Sequence, residues 1–197
     1  APMGRKRPWL ILAQLLLIGS LIWFAGLTEP TEALTWFAIA GFAVNFAGAF
    51  QDVAIDGMAI DILGEDERAS ANGLMWGGKT LGTAGFAFLT GRLISDEGGH
   101  GVAAIATAIF VGLIILLPLL LRERAGEKLL PWTEGQAAPV TRERQLARWW
   151  PLIRNVFSAM AKPASLLLGA GILLAFAAYG LKTAFSPTLA VQEIGWE

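Results

Sequence analysis

The sequence has no cysteine and one histidine, His100. Disulfides, thiolate chemistry and zinc sites built from Cys and His are thereby excluded. Charge is scarce as well: Asp, Glu, Lys and Arg make up 16% of the 197 residues, where a soluble domain carries roughly 25%. The net charge of -1 offers no basic field to nucleic acid, which is not an expected partner. No Ser-His or Cys-His constellation can be assembled, so neither enzymatic catalysis nor a cofactor is expected. His100, alone in a Gly-rich loop, reads as solvated. What is present in quantity is apolar: 55% of residues are hydrophobic and the mean hydropathy is +0.56.

Those residues collect into stretches of membrane-crossing length. Trp9 to Leu27 is uncharged, and about 20 residues at 1.5 Å each cross a hydrocarbon core of roughly 30 Å. The basic Arg5, Lys6 and Arg7 lead straight into it, which reads as a retained span rather than a cleavable leader. Further spans are expected over about 34–63, 71–94, 102–121 and 164–190, joined by an acidic link around Pro30, the hydrophilic turn GEDERAS at 64–70, a Gly-rich loop at 91–101 and a long polar segment, 122–163. Pro163 is placed to start the fifth span and Pro187 to kink it. The expected fold is an all-α polytopic transmembrane helical bundle. Alternating the spans puts twelve of the fifteen Lys and Arg on one side and only Arg92 on the other, with Lys79 and Lys182 inside spans. By the positive-inside rule, residues 1–8, 64–70 and 122–163 are expected to be cytoplasmic. Within the polar segment, Leu152, Ile153, Val156, Phe157 and Met160 recur at helical spacing after Pro151. That pattern fits a helix lying in the membrane interface or an amphipathic linker helix in water.

The residues that composition does not explain lie between Asn45 and Lys79. Asp52 and Asp56 sit within the second span, where an ionisable group costs roughly 2.5–3.5 kcal/mol and marks a functional-site candidate. At 100° per residue they share a small, polar stripe with Asn45, next to Gln51, while Asp61 points to the opposite face. On the third span Asn72, Lys79 and Thr83 line up, and Gly73, Gly77, Gly78, Gly82 and Gly85 have the small-xxx-small spacing that admits a neighbouring helix. Counted from the turn between them, Asp52 and Lys79 are both about 15 Å deep. A carboxylate and an ammonium at one depth lessen each other's desolvation cost, and a carboxylate there can load and release a proton. Two readings stay open, proton or solute handling by Asp52, Asp56 and Lys79, and a structural polar network. Gly73 to Thr80, GLMWGGKT, also matches the phosphate-loop pattern G-x-x-x-x-G-K-[ST]. It follows a charged turn and lies inside an apolar span, so nucleotide binding is rejected.

Gly4-Arg5-Lys6-Arg7 before Pro8-Trp9 resembles the end of the G-x-x-x-D-R-x-G-R-R/K loop of the major facilitator superfamily, without its D-R. QDVAIDGMAIDILGEDERASANG, from Gln51 to Gly73, is similar to the fourth helix and following loop of AmpG-type muropeptide permeases and acetyl-CoA transporters; GGKTLG and the residues around Tyr179 extend the likeness. The resemblance implies five spans of a twelve-helix fold, helices three to seven: residues 1–121 in the N-terminal six-helix bundle, 122–163 as the inter-bundle linker, and 164–197 beginning the C-terminal bundle. It implies a secondary transporter, proton-coupled and working by alternating access on a muropeptide, sugar or acyl-CoA type of solute, in a bacterial inner membrane. The cavity candidates are then Asn45, Gln51, Asn72, Thr83, Tyr179 and Lys182, and Arg5, Arg7, Asp61 and Arg68 form a cytoplasmic gate. Thr183 stands where those permeases usually have an acidic residue, and Lys182 is an added base. The expected partners are the lipid bilayer, a small solute and a proton. The alternative is a non-transporting membrane scaffold or assembly factor on the same fold.

Overall fold

A computed structural model describes residues 3–27, 33–95, 99–143 and 149–192. These form helices α1 (Arg7–Ala25), α2 (Leu34–Ile62), α3 (Arg68–Leu93), α4 (Gly99–Ile114), α5 (Leu116–Leu120), α6 (Pro139–Glu143), α7 (Trp149–Met160) and α8 (Pro163–Gln192). No strand occurs among the described residues. The chain divides into two compact units, 1–145 and 146–197.

Among the described residues, four segments are long and apolar enough to cross a membrane: α1, α2, α4 with α5 (Gly99–Leu120), and Pro163–Ser186 of α8. α3, expected as a span, has the length at 26 residues but not the apolar character, because its glycines, Asn72, Lys79 and Arg92 dilute it. The break between α4 and α5 falls three residues before Pro118; proline has no N–H to donate to the carbonyl one turn back. α8, by contrast, runs helical through Pro187.

α1 is the centre of the first unit, packed against both α2 and α4. Leu10, Ala13 and Leu21 are buried on α1, and stripes of alanine are buried on the helices packed against it: Ala40, Ala47 and Ala54 on α2, and Ala103, Ala104 and Ala108 on α4. Small residues let helix backbones approach, which drives packing in lipid where apolar burial alone gives little. Edge-on aromatic pairs border the α1–α2 seam, Trp9 with Phe50 and Phe24 with Phe37 at 6.1 and 4.9 Å between ring centres. Among the described residues, the glycines of α3 do not serve this purpose. A Cβ at Gly73, Gly77, Gly78, Gly82 or Gly85 would meet nothing within 4 Å, and α3 leans on α4 through Phe86 and Phe110, 4.4 Å apart.

The two ends of this unit are tied differently. At one end, the first turn of α1 leaves backbone N–H groups without partners, and the Glu123 carboxylate accepts from those of Lys6 and Arg7, each at 2.9 Å. Gly4 makes room for it: φ is +92°, and a Cβ there would lie 2.9 Å from that of Glu123. The Arg7 side chain runs the other way. Only 1% exposed, its guanidinium donates to the carbonyls of Pro118 and Leu119 at the end of α5 and of Lys128 and Leu129 in the following loop. A cation on the last carbonyls of a helix is favourable for the same reason that an anion is at its start. At the other end, His100 is half-buried, not solvated as expected. Its Nε2 lies 2.6 Å from the Leu27 carbonyl, which only accepts, so this nitrogen carries a proton. The rings of Phe24 and Phe37 close on it edge-on.

Residues 122–143 are folded rather than strung out. Thr141 donates to the fully buried Glu127 at 2.6 Å, Thr133 accepts from the N–H groups of Leu129 and Leu130, and Arg124 donates to Thr141 and to the Asp61 carbonyl at the end of α2. This segment therefore joins the end of α2 to that of α5. Arg7→Gln, which strips charged donors from four carbonyls, is expected to destabilise the complete protein by about 3 kcal/mol. Arg5→Gln, in a partly exposed pair, should lose no more than about 1 kcal/mol. Thermal unfolding in detergent checks this; equal shifts for the two variants would remove Arg7 as the principal tie.

Candidate functional site

α2 and α3 are joined by the turn at 63–67 and diverge above it, because no small-residue seam draws them together. Between them opens a cleft of about 760 Å³, lined among others by Asp52, Asp56, Arg68, Asn72, Trp76 and Lys79. The periodicity of each helix explains the set. Asp52 and Asp56 are one turn apart on α2, and Asn72, Trp76 and Lys79 follow at intervals of four and three on α3, so each group projects from a single face.

The central contact is an ion pair. Lys79 Nζ lies 3.1 Å from Asp52 Oδ2 and 5.7 Å from the centre of the Trp76 ring. Both partners are about 15 Å along their helices from the connecting turn, which matches the depth expected from the sequence. The pair is open, with side chains 60% and 57% exposed, so it is held by mutual attraction and not by enclosure. Asp56 faces the same cleft one turn nearer the turn at 63–67. This geometry presents two carboxylates, a primary amine, an amide and an aromatic face to whatever fills the cleft. No group of His, Cys, Asp and Glu among the described residues is arranged to hold a metal.

Other expected site residues are dispersed. Asn45 turns back on its own helix and donates to the Gly41 carbonyl at 2.8 Å. Gln51 lies on the stripe of Ala47 and Ala54 that meets α1, half-buried, its side-chain oxygen enclosed and unpaired. It is off the cleft because a step of one residue from Asp52 turns it by 100°. Thr83 is exposed on α3 beyond the cleft. Tyr179 and Lys182 are exposed on α8, in the second unit. The residues expected as a gate also separate. Arg5 pairs with Asp61 at 3.4 Å. Arg7 is instead committed to the backbone carbonyls of α5 and the following loop. Arg68 donates to the Ile60 carbonyl at 3.2 Å and stands at the rim of the cleft. Sequence reasoning passed over Glu123, Arg124, Glu127 and Thr141, whose partners lie as much as 117 residues away, and over Gln14, buried to 2% on α1. Gln14 alone carried a signal, being the only side chain in its span able to donate and accept through an amide.

The phosphate-loop match lies wholly inside α3. Its backbone N–H groups are spent on the helix, Thr80 donates back to the Trp76 carbonyl, and Lys79 is paired with Asp52, so no phosphate cradle exists.

Set beside known proteins, residues 2–197 match the Major Facilitator Superfamily over essentially the whole chain. The chain belongs to that superfamily. Its membership, with the apolar helices, makes it part of an integral membrane transporter family and not an enzyme. Over 79 residues it is 33% identical to the anhydromuropeptide permease of Escherichia coli strain K12, and equally to that of Escherichia coli O157:H7. That alignment covers 40% of this chain and only 16% of each permease. No solved structure matches the chain. For a superfamily member built this way, removing one charge of the Asp52–Lys79 pair leaves the other without a partner. Asp52→Asn and Lys79→Gln should each lower the yield of folded protein on size-exclusion chromatography more than the double variant does; additive losses would mean the pair is not coupled.

Proposed function

We propose that the complete protein is a secondary transporter, a proton-coupled symporter that moves a polar or anionic solute by alternating access. The observation that carries this is the Asp52–Lys79 pair, open to the cleft at mid-helix with Asp56 beside it. Charges so placed in a membrane protein face water or partner groups, and not lipid. α3 then spans the membrane despite its polarity, since its polar side faces a cavity. On this reading the chain corresponds to helices three to seven of a twelve-helix transporter. The end bearing Arg5, the turn at 63–67 and residues 122–163 is cytoplasmic, in keeping with the concentration of Lys and Arg there, and the membrane is a bacterial inner one. Protonation of Asp52 would release Lys79 to an anionic group of the solute, with Asp56 the second carboxylate of the cleft, and deprotonation would reclaim it. The similarity to anhydromuropeptide permeases puts peptidoglycan fragments first among solutes to try, ahead of sugars and acyl-CoA esters.

The mutual satisfaction of Asp52 and Lys79 favours a second reading, in which polar residues only staple helices of a non-transporting scaffold. Uptake by the complete protein in proteoliposomes separates the two. An inward proton gradient should drive accumulation of at least one solute of the panel, and Asp52→Asn or Asp56→Asn should reduce uptake per folded protein by at least about tenfold. Normal uptake per folded protein by both variants would refute the coupling role, and no uptake or proton flux with any solute favours the scaffold.

A further inference from the structure

α7 lies in the second unit together with α8, outside the site described above. Its exposed Trp150, Ile153, Val156, Phe157 and Met160 fall within an arc of about 120° at 100° per residue. Arg154, Asn155 and Ser158 lie outside it, together with Pro151, Leu152 and Ala159. No acidic residue interrupts the face: from 144 to 162 the sequence has four basic residues and no acidic one. Among the described residues, neither Arg154 nor Lys162 has a side-chain partner. Position supplies the second observation. α7 ends at Met160 and α8 begins at Pro163, the first residue of a candidate membrane span. The turn between them is closed by backbone bonds from Lys162 N–H to Ala159 and from Leu166 N–H to the Lys162 carbonyl. Two intervening residues reach no further than about 10 Å, so the end of α7 is held at the level where the span enters the membrane.

From this face and this position we propose that α7 is an anchor for an anionic lipid surface. It lies along the interface on the side where α8 begins, with Ile153, Val156, Phe157 and Met160 among the acyl chains, Trp150 at headgroup level, and Arg154 and Lys162 against lipid phosphates. An apolar face of this kind seats a helix in the interface, and the cations select anionic headgroups, each worth about a fivefold shift in occupancy near such a surface. Trp belongs at that depth because its ring is apolar and its N–H polar.

Spin labels on Met160→Cys and Ser158→Cys, at opposite centres of the helix, test this in a cysteine-free form of the complete protein. The vesicles are phosphatidylcholine alone and an equal mixture with phosphatidylglycerol. In the mixture, the label at 160 should collide with oxygen and be shielded from a water-soluble nickel chelate, and the label at 158 should do the reverse. In phosphatidylcholine alone, nickel access at 160 should rise several-fold. Arg154→Gln with Lys162→Gln should bring the mixture to the same value. Three results overturn the proposal. Equal nickel access at 160 in both compositions means α7 is in water; shielding from both probes means protein covers it; lipid exposure indifferent to composition and to the double variant means anionic headgroups have no part.

Discussion

The exchange between Arg7 and Glu123 is the constraint on which the first unit depends. One carboxylate satisfies the unpaired N–H groups at the start of α1 while the adjoining guanidinium satisfies the carbonyls at the end of α5. Each helix end thus receives the charge that its dipole favours, from a residue belonging to the other. α1 is also the helix against which α2 and α4 pack, so tying its first turn to α5 sets the frame of the whole unit. Arg124 extends the frame to α2 through the Asp61 carbonyl. The acceptors of Arg7 are backbone carbonyls, which cannot titrate or change rotamer, whereas the start of α1 rests on the Glu123 carboxylate.

How legible this was in the sequence follows from the range of each interaction. The spans of α1 and of α4 with α5 were visible because an uncharged run of membrane length has few other uses, and Asp52 and Lys79 could be brought level because both are counted from the same short turn. Periodicity alone then separated Asp56 from Asp61. Gln51, named as a cavity candidate through the resemblance, lies off the cleft, since a step of one residue from Asp52 turns its side chain by 100°. The assignment of Arg7 failed for another reason. Arg5 and Arg7 are equivalent by composition, and only the folded course of residues 122–143 decides which one meets a carboxylate and which meets carbonyls. His100 shows the same limit: a Gly-rich neighbourhood suggested solvent, but two phenylalanines from other helices enclose it.

Glycine taught a related lesson. The small-xxx-small spacing on α3 marked a face able to receive a helix, yet the seams within this chain are made by alanines on α2 and α4. Alanine stripes carry no turn or breaker signal, and they merge into the apolar background from which they must be read. The glycine face of α3 is open among the described residues, and the alignment with the permeases covers only 16% of their length.

The frame and the cleft therefore differ in kind. At the basic end, Arg7 is buried and bound to groups that cannot be titrated; at mid-helix, Asp52 and Lys79 are more than half exposed and held by each other. On the proposed reading, a solute anion or a proton arriving in the cleft would compete with a single weak contact, since a screened pair yields readily. The same competitor would have no purchase on the Arg7 carbonyl cage. Displacing the pair would then leave α2 and α3, whose own contact is slight, able to shift while α1, α2 and α4 stay packed. For the proposed transporter that separation would be useful: the cleft would be bounded by a pair that is easily exchanged, and the frame would be secured largely through the main chain.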